Sequence, residues 1–405
     1  YDSLIAFETQ RAQAGLGLCD TVIDNIIRSC NAYLIDADHS FLAETFASRL
    51  NTIDGLSDQE KADYKAKNKK AIDEHFVPAY ERLITGLEGL KGKGTNDKGL
   101  YYYPEGRKYY EYLVNASTGT SYSDVPALKQ AINKQMAKEL TAVNQLLNDD
   151  PSLGDKLDTS TFTLTKPQDI LEDLKAQCQT DFPPVNDCNY IIKTVPKTLE
   201  GFLSPAFYLK VPIDRPEDNS IYINNKSTDS DSLYTTMAHE GYPGHLYQTV
   251  YYSATKHHPI RDLLSFGGYT EGWATYCEML SYYYSPLSHD MATLLQHNAS
   301  VILGLYALAD MGIHYDGWTL AETVAFFRTY GITNEKTIED IFDLIVADPG
   351  NYLKYYIGYV EFLELKKLAI KTWGDDFTQN QFHQCILDTG PAPFEILQKQ
   401  IKNAY

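Results

Sequence analysis

Apolar residues recur at helical spacing along most of the chain. Residues 1–150 have the pattern of helices joined by polar connections, and Ser57-x-x-Glu60 is a capping box that opens a helix running toward Leu90. Shorter helical segments follow up to Cys178. Toward the C-terminus the pattern predicts further helices, at about residues 231–253, 260–285, 287–315, 319–331, 335–347, 351–373 and 391–403.

Residues 180–226 differ, because prolines interrupt short runs of β-branched and aromatic residues there. The runs Tyr190–Val195, Phe207–Val211 and Ile221–Ile223 have the composition of strands. We therefore predict a mainly α protein, or an α+β one with a single small antiparallel sheet. We expect a helical lobe over residues 1–179 and a second lobe over 180–405, or one continuous domain.

The segment His239-Glu240-Gly241-Tyr242-Pro243-Gly244-His245 carries the most chemical information. On an ideal helix the two histidines would point about 120° apart. Pro243, however, has no N–H for the carbonyl of His239, and its ring clashes with that carbonyl. The two glycines accept backbone angles that other residues resist. We therefore predict a helix that is broken or bulged between His239 and His245, with about two residues looped out.

A second segment, Thr270-Glu271-Gly272-Trp273-Ala274, supplies a carboxylate. Two imidazoles and one carboxylate leave a tetrahedral Zn²⁺ one open position for water, as catalytic zinc requires. Glu271 and Glu278 lie about two helical turns apart, so both can face one neighbour on a largely apolar helix. The alternative is that both histidines are ordinary hydrogen-bonded groups around a helix kink.

These segments resemble the motifs of the domain of unknown function 885 family, which is placed with the zincin-like metallopeptidases. The first motif is matched by His239, Glu240, Pro243, Gly244, His245 and Gln248, and the second by Glu271, Gly272, Trp273, Ala274, Tyr276 and Glu278. Weaker similarity extends from about residue 75 to the C-terminus. Lys366 departs from the family pattern, because arginine is usual there, and this leaves the substrate open.

The resemblance implies a zincin-like helical metallopeptidase architecture with a central cleft. One Zn²⁺ would be held by His239, His245 and Glu271. Glu240, next to a ligand, is expected to act as general base on the metal-bound water. Tyr355 is expected to donate to the oxyanion, on resemblance alone, since its context does not separate it from Tyr356 or Tyr359.

Five further residues are candidates for the surroundings of the metal or for substrate contacts. Glu278 is expected to hold a ligand histidine. Asp310 and His314 are four residues apart and have the same candidate role, with a structural Asp–His pair as the alternative. Tyr222 and Asn224 are expected to border the substrate, because an edge strand lies beside the cleft in zincin-like peptidases.

Composition and charge limit the classes of partner and the cellular locations that we expect. The net charge of −19 disfavours nucleic acid and anionic membranes. No apolar run approaches about 18 residues, so no transmembrane segment is expected. The chain starts with Tyr1 rather than Met, so no signal peptide is visible. The location is left open, with an extracytoplasmic or cell-envelope one favoured. Free thiols are the expected state of the six cysteines, and Cys178 and Cys188 form the one local pair to test for a disulfide.

The sequence thus predicts a zinc-dependent hydrolase, a metallopeptidase that acts on peptides or small amides. Two alternatives stay open. One is a hydrolase of the same metal class that acts on a non-peptide amide or ester. The other is a catalytically silent binding protein that keeps the fold.

Overall fold

The computed structural model describes residues 1–34, 40–157, 162–185, 188–227 and 232–404. Within it the chain forms two compact units. The first comprises Tyr1–Asp97, Thr194–Ser204 and Asn224–Ser227, and the second comprises Lys98–Lys193, Pro205–Ile223 and Thr228–Tyr405. The boundary expected at residues 179/180 falls inside the second unit, and the choice between two lobes and one continuous domain stays a prediction.

The first unit is helical. Its helices are α1 Asp2–Gln13, α2 Asp20–Ala32, α3 Phe41–Asn51, α4 Asp58–Ala71 and α5 Val77–Glu88. The capping box predicted at Ser57 is confirmed, since Ser57 Oγ accepts from the Glu60 N–H and the Glu60 carboxylate accepts from the Ser57 N–H. A π-helical turn joins α4 to α5, so the helical path runs toward Leu90 as predicted. The core of this first unit contains Ile23, Cys30, Leu83, Leu87 and Leu90.

The second unit holds the remaining α-helices and all but one residue of the sheet. Its helices are α6 Gly106–Thr118, α7 Val125–Asp149, α8 Ser152–Lys156, α9 Pro167–Gln177, α10 Leu233–Glu240, α11 His245–Ser253, α12 Gly267–Tyr284, α13 His289–Met311, α14 Leu320–Thr329, α15 Glu335–Ala347, α16 Leu353–Trp373, α17 Gln379–Thr389 and α18 Phe394–Asn403. The mainly α prediction is confirmed. Of the helix predicted at residues 231–253, position 231 lies outside the described residues.

One helix of this unit was not predicted, and one predicted helix start was wrong. Helix α17 was not predicted, because the side chains that it buries, Phe382, His383, Ile386 and Leu387, include a histidine among polar neighbours and so give a weak apolar period. The helix expected from residue 260 begins only at Gly267. A short 3₁₀ turn over Pro259–Leu263 precedes it, where Pro259 removes a backbone donor.

The small sheet contains β1 Ile191–Thr194, β2 Ala206–Leu209 and β3 Ser220–Ile223, in the order β1-β3-β2. Strands β2 and β3 pair antiparallel, with Tyr208 opposite Ile221. The sheet as a whole is mixed, so the prediction of a wholly antiparallel sheet was wrong. The composition of the strands was predicted correctly. Whether two strands pair parallel or antiparallel, however, depends on the path of the chain between them. The important consequence is that β3 is the middle strand and β2 is an edge.

Helices α12 and α16 cross at two glycines. A Cβ built on Gly272 would lie 2.4 Å from the Cα of Gly358, and one on Gly358 would lie 2.2 Å from the carbonyl oxygen of Gly268. Only glycine permits so close an approach. Because Glu271 precedes Gly272 and Tyr355 lies one turn before Gly358, the crossing brings these two candidate residues together.

One segment of the described residues, His289–Asp316, is long and apolar enough to cross a membrane by length and composition. Inside the protein 56% of its most apolar window is buried, as is usual for a core helix, so it is a weak indication of a membrane span. The six cysteines are all free, and Cys178 and Cys188 are not joined.

Candidate metal centre

The helix that carries the histidine motif is interrupted where the sequence predicted. Helix α10 ends at Glu240, α11 begins at His245, and the Tyr242–Pro243 peptide bond between them is cis. Four residues leave the helix, rather than about two. The Gly244 N–H donates to the Ala238 carbonyl, six residues back, at 2.9 Å, and this bond closes the loop.

Glycine and tryptophan fix the shape of this loop. A Cβ on Gly244 would lie 1.9 Å from the carbonyl oxygen of His239, so no larger residue fits there. Trp273 donates its Nε1–H to the Pro243 carbonyl at 3.0 Å, and the Cys277 thiol lies 3.4 Å from the same oxygen. The second motif therefore supports the loop of the first, in addition to supplying Glu271.

His239, His245 and Glu271 converge as predicted. One ligand atom of each lies within 4.8 Å of the others, which is close enough for all three to bind one ion. Oε2 of Glu271 is 3.7 Å from Nε2 of His239 and 3.3 Å from Nε2 of His245. The two imidazole rings stand nearly perpendicular, at 84°. All three side chains keep a small exposed fraction, so a ligand can reach them from solvent.

The electrostatics of this cluster favour a positive charge at its centre. Burial acts to lower the pKa of His239, but the neighbouring carboxylates of Glu271 and Glu278 outweigh it and raise that pKa well above its usual value. Burial acts to raise the pKa of Glu271, but the two histidines outweigh it and lower that pKa well below its usual range. The carboxylate thus stays ionised and attracts a cation.

Glu278 lies behind the first ligand histidine. Its Oε2 is 3.0 Å from Nδ1 of His239, while Nε2 of the same ring faces Glu271. A carboxylate on Nδ1 selects the tautomer in which Nε2 is free to bind a metal. The position of Glu278 therefore agrees with the role expected from the sequence.

Glu240 lies at the end of α10, beside the edge strand of the sheet. Its Oε2 accepts the backbone N–H of Tyr208 at 2.7 Å. This backbone partner holds the carboxylate in one orientation. No sequence signal could have identified Tyr208, because the group that it contributes is an amide that every residue except proline has.

Tyr355 lies beside the cluster, whereas its two neighbours do not. Its ring centroid is 6.2 Å from that of His239, and burial, followed by the charges of Glu271 and Glu240, raises its pKa well above the usual value. The side chain of Tyr356 is fully buried, and the Tyr359 hydroxyl accepts from Gln296. The structure thus separates three tyrosines that the sequence could not.

Lys354 was missed by the sequence analysis. Its Nζ lies 3.9 Å from Oε1 of Glu271 and 5.3 Å from the centroid of the Tyr355 ring. Its position next to Tyr355 was the one available signal, but a single lysine in the first turn of a helix has no distinctive pattern.

Asp310 and His314 do not bond to each other. Asp310 accepts from the Tyr110 hydroxyl at 2.5 Å and from the Gly350 N–H. His314 accepts the Leu100 N–H at Nδ1, and its Nε2 donates to the Ile345 carbonyl. Both side chains are fully buried, so these partners indicate structural roles in place of the expected contact with the metal surroundings or the substrate. The alternative of a direct Asp–His pair was also wrong.

Tyr222 and Asn224 do not form the free edge that was expected. Tyr222 lies on the middle strand, and its ring stacks on Phe207 with centroids 5.1 Å apart. The Asn224 amide donates to the carbonyls of Glu200 and Leu203. The edge strand beside Glu240 is β2, so Tyr222 and Asn224 were the wrong choice from this sheet.

Comparison with solved structures supports the fold. A protein from Colwellia psychrerythraea, described as a "putative lipoprotein", superposes with a TM-score of 0.85 at 20% identity, over 99% of this chain and 72% of that one. One from Shewanella oneidensis, with the same description and of unknown function, gives a TM-score of 0.56 at 18% identity, over 88% and 69% of the two chains. No curated protein matches the chain. The model of the family described as bacterial protein of unknown function (DUF885) matches residues 1–401, and the chain therefore belongs to that family.

Proposed function

We propose that this protein is a zinc-dependent metallopeptidase of zincin-like architecture, which hydrolyses peptide bonds in a central cleft. The observation that carries the proposal is the convergence of His239, His245 and Glu271 within 4.8 Å, with Glu240 next to the first ligand. Two neutral nitrogens and one carboxylate suit zinc, whereas magnesium and calcium prefer oxygen alone.

The bound ion would lower the pKa of a water molecule in its open position and polarise the scissile carbonyl. The protein's own groups carry the protons. Glu240, oriented by the Tyr208 N–H, accepts a proton from that water and passes it to the leaving amine. Glu278 accepts the Nδ1–H of His239 and so leaves Nε2 as the nitrogen directed at the ion.

Tyr355 is suited to donate a hydrogen bond to the oxyanion. Because its pKa is raised, its phenol stays protonated at neutral pH and remains a donor. Edge strand β2 lies next to Glu240, and this favours an extended peptide as the substrate over a compact ester or amide.

The decisive experiment starts with purified protein and elemental analysis for zinc. A peptide library is then digested and read by mass spectrometry, with chromogenic esters in parallel. Peptide cleavage that stops with chelator and returns with Zn²⁺ supports the proposal. Ester cleavage alone supports the non-peptide hydrolase, and zinc binding without any cleavage supports the silent binding protein.

We also propose an extracytoplasmic or cell-envelope location. The two similar structures carry the description of lipoproteins, a class attached to membranes, and they share this fold. Fractionation of the natural host with an antibody to the protein tests this. Recovery in the cytoplasmic fraction alone would contradict it.

A further inference from the structure

Lys354 gives the ligand cluster a neighbouring positive charge. It lies in the first turn of α16, and the two oxygens of Glu271 face different groups. Oε2 faces the histidines, and Oε1 faces the Lys354 ammonium at 3.9 Å. Among the described residues, no other lysine or arginine comes within 4.0 Å of the carboxylates of Glu240, Glu271 or Glu278.

The Lys354 side chain is held in place by packing, but its ammonium group still has unused hydrogen-bond donors. The lysine stem packs along Gly267, where a Cβ would be 3.5 Å from Lys354 Cδ. The 3.9 Å separation from Glu271 is too long for a hydrogen bond, and within the described part of the chain Nζ has no hydrogen bond at all. The side chain is 27% exposed, so its three N–H donors can be reached from solvent.

The charges around this lysine favour an anionic ligand. Glu240, Glu271 and Glu278 alone would repel an anion. A bound dication and the Lys354 ammonium together balance these three carboxylates, so a carboxylate group can approach the cluster beside the lysine. Lysine recognises such a group as a point charge.

We propose that Lys354 binds the C-terminal carboxylate of the substrate, so that the enzyme is a carboxypeptidase that removes the last residue of a peptide. This inference rests on the proposed function. The scissile carbonyl and the terminal carboxylate of a peptide are one residue apart, and one residue spans about 3.8 Å. Nζ lies 3.9 Å from Oε1 of Glu271, so it is close enough to the expected metal position to meet a charge on the residue directly after the scissile bond. A longer leaving segment would place uncharged backbone opposite the ammonium.

The reaction adds one water molecule across the last peptide bond. The water oxygen bonds to the carbonyl carbon, the C–N bond breaks, and Glu240 passes the water proton to the departing amine. The released amino acid keeps the carboxylate that Lys354 held. Lys354 thus selects and positions the substrate and exchanges no proton.

Binding tests the inference without turnover. The probes are N-acetyl tripeptides in matched free-acid and amide forms, one pair for each natural C-terminal residue. Isothermal titration of Glu240→Gln with its zinc bound should show about 10- to 100-fold tighter binding of the free acid for the preferred residues, as expected for one charge-assisted hydrogen bond. Adding Lys354→Met should abolish this preference, and Lys354→Arg should retain part of it.

Lys367→Met is the matched control, because it removes the same charge from an exposed position of the same helix. It should leave the preference unchanged. Equal binding of acid and amide by Glu240→Gln overturns the inference. So does an equal loss of both in the Lys354→Met background, since that would mean that Lys354 only orients Glu271.

Turnover by the otherwise unmodified protein separates the two proposals. Release of the last residue from the free acids but not from the amides supports both. If Lys354 discriminates the acids in binding but the zinc-loaded protein hydrolyses no peptide, the carboxylate site stands and the peptidase proposal fails. Cleavage of acids and amides with equal kcat/KM leaves a peptidase and overturns the carboxypeptidase.

Discussion

Three residues of the site have a named group beside them. Glu278 holds the Nδ1 side of His239, the Tyr208 amide holds Glu240, and Lys354 faces the outer oxygen of Glu271. Such preorganisation is expected of a metal centre, where outer partners orient the ligands. Two predictions test it at this scale.

Glu240→Gln should keep its zinc and lose turnover by about 10²- to 10⁴-fold, because an amide cannot act as the base. Elemental analysis and peptide-hydrolysis rates measure the two quantities. His245→Ala should instead lose the metal. Glu364→Gln, at an exposed position on α16, is the control. If Glu240→Gln retained turnover, Glu240 would not be the general base.

Glu278→Ala should weaken zinc binding by about 10- to 100-fold, because His239 loses the carboxylate on its Nδ1. Competition with a chromophoric chelator measures the affinity. Glu278→Gln should lose less, since its amide oxygen still accepts from Nδ1–H. An unchanged affinity in Glu278→Ala would show that this contact does not orient the ligand.

At the scale of elements, the site depends on how closely α12 and α16 cross. Glu271 and Tyr355 lie on different helices, and the Gly272–Gly358 contact sets their separation. Gly272 was visible in the sequence as a motif residue, but its contact with Gly358 was not. A glycine inside a helix lowers the stability of that helix, but here it allows the two helices to pack closely.

Gly358→Ala should destabilise the fold by about 1–3 kcal/mol and weaken zinc binding, because the new methyl group forces the helices apart. Urea unfolding and the chelator competition give both values. Gly154→Ala in α8 is the control, because its Cβ meets only Leu147 at 3.7 Å. It should be neutral or slightly stabilising. Unchanged zinc affinity in Gly358→Ala would mean that the crossing does not set the site.

At the scale of the whole molecule, buried polar groups connect distant parts of the second unit. Asp310 joins α13 to Tyr110 on α6 and to Gly350 before α16, and His314 joins it to Leu100 and Ile345. Burial raises the pKa of Asp310 from 3.8 to about 7 and lowers the pKa of His314 from 6.5 to about 4. The two groups therefore affect stability in opposite directions over the same pH window.

Asp310→Asn should change how stability depends on pH. Between pH 4 and 7 the native carboxyl keeps a proton that the unfolded chain has released, so its contribution to stability falls as pH rises. The variant lacks this fall. Its free energy of unfolding minus that of the unmodified protein should thus increase by up to about 4 kcal/mol from pH 4 to 7. The His314 contribution, lost as pH falls toward 4, is common to both proteins.

Urea unfolding across this window, in chelator to exclude metal binding, gives the difference. Asp340→Asn, at an exposed position, should show no such slope. A constant offset between Asp310→Asn and the unmodified protein would mean that the native carboxyl is ionised throughout the window.

Features that depend on interactions within a few residues could be predicted from the sequence, and features that depend on long-range contacts could not. The helix break at Pro243, the capping box at Ser57 and the composition of the strands could be predicted, because each depends on sterics or hydrogen bonds within a few residues. The four candidate residues His239, Glu240, His245 and Glu271 were identified through their motif spacing. Helix α17 was missed where a buried histidine replaced an apolar side chain.

By itself, then, the sequence determined a mainly helical protein with a broken histidine helix and a glutamate able to join it. Only the tertiary structure decided which tyrosine faces the cluster, that the Tyr208 amide holds Glu240, that Lys354 lies at Glu271, and that Asp310 and His314 have separate partners. The physical reason is that these contacts join residues far apart in the chain. They depend on strand order and on a helix crossing, which no local pattern encodes.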